Sequence, residues 1–539
     1  MPFSSTPRDD PAGQPDVIAA LDAAVGPDRV ERHDGRRVFF STDLSRSGTE
    51  ALAIVRPANT DAVTTILKIC HAAGVSVIAR GGGFSYTGGY LPINESTVIV
   101  DMRDLDQVIE INAEDMYVVV ECGCTWERLY EALKAQGLRT PYFGPMSGYA
   151  ATVGGALSQG SFFLGSSQYG PVADSVLAVE IVLADGSVLR TGSWGAAADA
   201  TPFYRSYGPD FTGLFLSDTG ALGFKTKAVL KLVPFPQHTQ FLSFVFDREE
   251  AAIAAVSAVG RLGIAGECYC WDPYFVKVMA AQSTSLMQDL KLLAGVARGQ
   301  KGSRGLFNAA RLAIAGKSVF DGEVFMLNIS IDDPTAEGAD ARRALLRDLL
   351  AGTDAREITP SAPMATRGTP FINFNTSERR TTMRNLPTNG LVPHSRLAAL
   401  SRDVRLVLAN RAEDMARHGI ECGVIYFGVG QQGACLEPLI YWDDPRHFQH
   451  DRVAELSNIN ALAGFDGPSE TTELAMQIRK ELTAVMVRHG SAHVQIGKTY
   501  PWLATRTPPI AALIGAIKRH VDPDGRMNPG SLGLADLPA

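Results

Sequence analysis

Two stretches of this chain group residue types that could do chemistry. The first, Arg80–Tyr90, reads RGGGFSYTGGY; five of its eleven residues are glycine, and strand-like runs flank it, Val75–Ala79 before and Thr97–Asp101 after. Glycine permits φ > 0 and lets a ligand approach the main chain without meeting a Cβ. Successive amides in such a turn converge into a nest for an anion such as phosphate. Two common phosphate loops are excluded. A Walker loop needs Lys after the glycine that closes its four-residue gap, and here Gly83-x4-Gly88 is followed by Gly89. A dinucleotide fingerprint opens a helix, whereas this loop runs through Leu91-Pro92 into another strand. The second stretch carries Arg488, His489, His493, Lys498, Tyr500 and Trp502, which brings a base, a cation and aromatic rings into one short piece. Each stretch also has a plain structural reading: a turn between strands, a helix C-terminal cap, and interface packing.

The elements that must position these residues are mixed. Ala51–Arg56 and Tyr117–Glu121 read as strands. Thr60–Ala73 reads as a helix with Val63, Ile66, Leu67 and Cys70 on one face, stopped by Gly74. Thr125 caps a helix that carries Trp126, Leu129, Tyr130 and Leu133. Asp185-Gly186 turns a hairpin between Val179–Ala184 and Ser187–Thr191. After Pro234-Phe-Pro236 the pattern changes. Phe241–Phe246, Val324–Ile331, Cys422–Gly428 and Leu436–Trp442 read as an antiparallel sheet, with helices at Ala251–Leu262, Pro334–Ala351, Leu397–His418 and Thr471–His489. Leu286–Gly299 and Gly305–Gly316 are further helical candidates, possible as an insertion over the sheet. Strands and helices without strict βαβ alternation give an α+β class.

From Arg80 to about Phe235 the chain resembles the FAD-binding domain of the vanillyl-alcohol oxidase/p-cresol methylhydroxylase (PCMH-type) flavoprotein family. Three segments carry the resemblance in order: the glycine loop with Val98–Leu105; Tyr117–Leu129; and Gly144-Pro-Met-Ser-Gly-Tyr-Ala-Ala-Thr-Val-Gly-Gly-Ala156, continuing to Tyr169-Gly170 and Val179–Gly186. Asp218–Phe224 and Asp522-Pro-Asp-Gly-Arg-Met-Asn-Pro-Gly530 fit the end of that domain and the family's closing motif. The resemblance implies a two-subdomain FAD-binding domain plus a cap (substrate) domain, an antiparallel sheet flanked by helices. The expected boundaries are 1–45 for a lead-in and first helix, 46–236 for the FAD domain, 237–490 for the cap, and 491–539 for a return to the FAD domain.

By the same resemblance, Arg80, Gly81, Gly82, Gly83, Phe84, Ser85, Thr87 and Gly88 take the pyrophosphate, and Pro145, Gly148, Ala151, Thr152, Gly154, Gly155 and Ser158 follow the flavin and ribityl chain. Gly223 and Phe224 close over the adenine side, and Asn528 joins the cofactor-binding set. Many relatives tether FAD covalently, but Phe84 and Ala150 stand at two attachment points, and Ala434–Leu439, near the third, holds no His or Tyr. FAD is therefore expected to bind without a covalent bond; a tether through His394 or Tyr441 is the alternative. Substrate chemistry in the family passes a hydride to flavin N5 while a base takes the acidic proton. Met146 stands where phenol-oxidising members carry an acid, and the metal motif H-x-G-D-G-N-x-H of the 2-hydroxy-acid members does not occur, so no metal is expected. The catalytic candidates are His493, Lys498, Tyr500, Tyr426, Arg488 and Tyr169, with Lys498 as the cation by the flavin. The activity implied is oxidation of an alcohol or benzylic carbon on an aromatic or bulky small molecule. A sugar or polyol alcohol oxidase and a non-catalytic flavin-binding protein are the alternatives.

Composition narrows the partners. The net charge of −8, with no concentrated basic face, disfavours nucleic acid. No apolar run reaches the roughly 18–20 residues that span a bilayer, and the polar, Pro-rich start, MPFSSTPRDDPAGQP, is unlike a signal peptide. A cytoplasmic protein is expected, with a small-molecule substrate, oxygen or a redox partner as electron acceptor, and a homodimer possible. Cys122/Cys124 and Cys268/Cys270 are Cys-x-Cys pairs in strand-like runs, where they pack as small hydrophobes instead of binding zinc.

Overall fold

The structure, a computed structural model, describes residues 17–197, 199–282, 323–371, 383–443 and 470–536. The helical candidates at 286–299 and 305–316 and the lead-in over 1–16 lie outside these.

Three sheets organise the chain. The first has the order Val30–Glu31, Ala53–Val55, Thr97–Asp101, Ser76–Arg80, with its last three strands parallel. Helix Thr60–Ala72 covers it with Val63, Ile66, Leu67 and Cys70, and Gly74 follows at φ 66°. The second sheet is antiparallel, in the order Val108–Asn112, Tyr117–Glu121, Phe224–Lys231, Val176–Val182, Val188–Arg190. Its Asp185-Gly186 turn has the positive φ that such a hairpin needs, 78° at Gly186. Helix Trp126–Lys134 packs on this sheet and starts at Thr125, whose hydroxyl accepts the Arg128 amide hydrogen.

The third is an eight-stranded antiparallel sheet. It includes the four cap strands read from the sequence, now His238–Phe246, Phe325–Asp333, Glu421–Val429 and Gly433–Asp443, together with Glu267–Trp271. Arg356–Ile358, Met383–Pro387 and Gly390–Pro393 complete it at its edges. Helices Glu249–Leu262, His394–Asn410 and Glu470–Arg488 share one core with one face of this sheet, and Cys268 and Cys270 are buried in it. The expected helix 397–418 is two, His394–Asn410 and Ala412–His418. The tail returns to the first sheet: Met527 bridges Val77 and is buried in that sheet's core. No helix among the described residues is long and apolar enough to cross a membrane.

Candidate functional site: a glycine-lined cleft

The two glycine-rich strips lie against each other because neither has side chains to hold them apart. A Cβ at Gly81 would stand 2.2 Å from Thr152 Oγ1, and one at Gly82 would stand 2.2 Å from the Ala150 carbonyl oxygen. Thr152 opens the short helix Val153–Gln159, its hydroxyl accepting from the Gly155 amide. Between the strips runs a narrow cleft, with an enclosed volume of about 130 Å³. Gly81, Gly82, Gly83, Phe84, Ser85, Pro145, Ala151, Thr152, Gly154, Gly155, Ser158 and Gly223 line it.

The remaining candidates of the cofactor set sit behind the lining and shape it. Arg80 is 1% exposed, with its guanidinium over the rings of Phe40 at 4.5 Å and Tyr90 at 5.0 Å. Thr87 is buried, its hydroxyl 3.0 Å from that of Ser85. The Gly88 amide donates to Asp43 Oδ2 at 2.6 Å, so Asp43 braces the loop from below. Gly148 leaves room for Phe371, whose ring a Cβ would meet at 2.3 Å. Phe224 puts its ring into the core of the first sheet. Asn528 Nδ2 donates to the carbonyls of Gly89 and Thr219, tying the loop to the segment opposite.

Sequence reasoning missed part of the lining. Gln159, Ser161, Thr219, Lys225 and Gln495 also face the cleft. Thr219 lies inside the quoted Asp218–Phe224 motif and Lys225 directly after it, so the motif itself was the available signal. Lys225 Nζ is held by Asp218 Oδ1 at 2.6 Å, both side chains almost fully buried. Gln159 Oε1 and Thr219 Oγ1 are buried with no hydrogen-bond partner, a state that costs about 1–3 kcal/mol per group unless a bound molecule completes it. A glycine-lined cleft with polar atoms awaiting a partner fits a dinucleotide cofactor.

The proposed catalytic residues do not form one cluster. His493 Nδ1 is 2.7 Å from the Asn389 carbonyl, so this nitrogen carries the proton and Nε2 keeps its lone pair. Nε2 is buried without a partner, the ring stacks on Tyr500 at 4.1 Å, and burial lowers the imidazole pKa. The Tyr500 hydroxyl accepts from the Asn389 amide, and burial pushes it up to about 12. Lys498 does not stand free as a cation for the flavin. Its ammonium donates to the Leu91 carbonyl at 2.6 Å and Asn528 Oδ1 at 2.7 Å, locking the tail to the glycine loop, and burial, with Arg46 adding to it, pulls it down to about 7. Tyr426 is on the helix-covered face of the cap sheet, with its hydroxyl bonded to Glu249 and to Ser401. Arg488 is exposed at a helix end, and Tyr169, half-buried in Ser166–Tyr169, is not part of the lining. His394 and His489 are engaged elsewhere, with the Gln431 carbonyl and Asp403.

Residues 51–192 match the family described as FAD binding domain. This region is an FAD-binding domain, and FAD is the cofactor. The glycolate oxidase subunit GlcD of Bacillus subtilis is 31% identical over 245 residues, which cover 45% of this chain and 50% of that one. A mitochondrial D-lactate dehydrogenase [cytochrome] of Kluyveromyces lactis is 30% identical over 225 residues, 39% of this chain and 37% of that one. The chain thus matches half or less of the length of these curated relatives. Among solved structures, p-cresol methylhydroxylase with substrate bound superposes with a TM-score of 0.71 at 18% identity, covering 96% of both chains. Alkyldihydroxyacetonephosphate synthase follows the same fold, with a TM-score of 0.69 at 18% identity over 97% of this chain and 87% of that one.

The tether question has a direct test. Phe84 packs edge-on against Tyr149, with ring centroids 5.5 Å apart, and Ala150 offers no nucleophile. Cys435, the one thiol in the 434–439 run, is buried and its pKa is raised well above the ordinary value by desolvation, which keeps it an inert thiol. Acid precipitation should therefore leave the yellow cofactor in the supernatant. Flavin that pellets with the chain would show a covalent bond.

Proposed function

We propose that this protein is an FAD-dependent oxidoreductase acting on an alcohol or benzylic carbon of an aromatic or bulky small molecule. The observation that carries this reading is the aromatic wall that continues from the cleft. Ser161 lines the cleft, and Phe162 and Phe163 follow it in sequence. Their rings meet Phe427 at 5.3 and 5.7 Å, Phe163 meets Tyr269 at 5.6 Å, and Tyr269 meets Trp271 at 5.6 Å. These side chains are on the face of the cap sheet opposite its helices, and such a surface suits a planar apolar substrate.

Bound FAD supplies the two-electron acceptor that takes a hydride from the substrate carbon. The chain supplies the rest. The glycine strips seat the cofactor, Lys225, paired with Asp218, presents its side chain at the cleft wall, and the aromatic wall orients the substrate and excludes water. The names of the relatives, glycolate oxidase, D-lactate dehydrogenase and p-cresol methylhydroxylase, support flavin-dependent oxidation of small molecules. The test is anaerobic bleaching of the purified holoprotein by a panel of benzylic, lignin-like and polyol alcohols, with glycolate and D-lactate beside them. Rapid bleaching by the benzylic set is expected. Bleaching by polyols alone moves the assignment to sugar-type alcohols, and no bleaching at all leaves a flavin-binding protein without this catalysis.

A further inference from the structure

One buried carboxyl has no role in what has been described. Glu437 is on strand Gly433–Asp443, directly opposite Ile425 on Glu421–Val429. Side chains alternate along strands, so Glu437 and Cys435 share a face with Ile425 and Phe427, the face of the aromatic wall, while Tyr426 and Leu436 point into the helices. Among the described residues Glu437 has neither hydrogen bond nor ion pair. Burial alone raises its carboxyl to about 7, yet part of the side chain stays open. The cleft reaches this region by a short polar path. Gln495 lines the cleft and donates to the Tyr86 hydroxyl at 2.9 Å, and Tyr86 and Tyr500 are both electrostatic neighbours of Glu437.

We propose that Glu437 is the proton acceptor for the substrate hydroxyl, which makes it a catalytic residue and the substrate an alcohol with an apolar, aromatic body. The alcohol's two hydrogens then part, the O–H proton to a Glu437 oxygen and the C–H hydride to the cofactor, leaving a carbonyl. This rests on the alcohol-oxidising reading above. The geometry favours Glu437 over His493, whose imidazole stacks on Tyr500 beside the exposed Arg506, a cation that opposes protonation.

The groups packed around Glu437 leave it alone to titrate near neutrality. Tyr86 from the glycine loop and Cys435 from its own strand are pushed well above their ordinary values by desolvation, and Tyr500 from the tail to about 12. His493, stacked on the far partner Tyr500, is shifted downward by burial. Behind Tyr86 stands Arg479 of helix Glu470–Arg488, whose Nη1 donates to the Tyr86 carbonyl, and the facing strand contributes the apolar Ile425.

The experiment compares wild-type holoprotein with Glu437→Gln, which keeps shape and removes the basic oxygen. With 4-methoxybenzyl alcohol under anaerobic conditions, the wild-type rate of flavin reduction should rise with pH through about 7. Glu437→Gln should be slower by about 10²-fold or more and lose that pH dependence, with FAD content and circular dichroism unchanged. A second readout needs no turnover. A carboxyl raised from 4.5 to about 7 on folding favours the folded state below 4.5 and loses that contribution as pH rises to 7. The stability of wild type relative to Glu437→Gln should therefore fall between those pH values. A flat difference, or a variant with the wild-type rate and pH profile, overturns the proposal alone. A wild-type flavin that no alcohol reduces removes the alcohol reading and this role together.

Discussion

Gly83→Val should yield protein that purifies without FAD, or that does not fold. Gly83 has φ +78°, a conformation that is costly for a β-branched residue, and its Cβ would stand 2.2 Å from Arg80 Nη2. Arg80 cannot simply swing aside: it is 1% exposed and fixed by the faces of Phe40 and Tyr90. Backbone strain alone is worth about 1–3 kcal/mol, and the collision adds to it. Together they should weaken FAD binding by about 10²-fold or more, and the stability that the bound cofactor lends goes with it. Gly137→Val separates the two causes, because Gly137 has a similar φ of +72° and open space around its Cβ position. That variant should lose some stability and keep its flavin. The ratio of flavin to protein absorbance after purification decides the matter. Full occupancy in Gly83→Val would mean that the loop is not the cofactor's seat.

The sequence made most of this loop legible because its chemistry is local. Glycine clusters, a capping Thr152 and flanking apolar strands signal themselves within a few residues, and twelve of the eighteen cofactor-binding candidates line the cleft. The catalytic set was harder for a definite reason. Along Glu421–Val429 both faces are largely buried, one under helices and one at the aromatic wall, so alternation shows that Tyr426 and Phe427 part company without showing which faces the flavin. Lys498 misled for a similar reason. Its neighbours Leu91 and Asn528 are far away in sequence, and only the folded chain shows that its charge is spent on a lock. Glu437 has no sequence signal, since it is one carboxylate in an apolar strand whose meaning comes from Tyr86 and Tyr500 beside it.

Asp332→Asn should be the most damaging change outside the cleft. Asp332 is 6% exposed and holds two guanidiniums, Arg367 at 2.6 Å and Arg139 at 3.0 Å, while Arg367 also binds Glu267 at 2.7 Å. The cluster joins the cap sheet, which contributes Asp332 and Glu267, to Arg139 just ahead of the second glycine strip. Glu267 extends it to the loop below the aromatic wall by accepting from the Gly165 amide at 2.9 Å. Burial alone would raise the Asp332 carboxyl; Arg367 and Arg139 outweigh it and hold it at about 2. The amide leaves Arg367 with Glu267 and takes from Arg139 its carboxylate partner, a loss of about 3–5 kcal/mol on the scale of broken buried pairs. A fall in Tm of about 3–4 °C should follow for a chain of this length. The sign with pH is fixed by the lowered carboxyl: its contribution is present above 3.8 and disappears as pH falls towards 2. Wild type and variant should therefore differ most at neutral pH and converge in acid. The variant should also reduce more slowly with aromatic alcohols, since Arg367, which positions Glu267 under the loop bearing Phe162 and Phe163, loses its second carboxylate. Equal melting temperatures at neutral pH would mean that the apolar contacts between cap and cofactor domain, and not this ion cluster, hold the wall over the cleft.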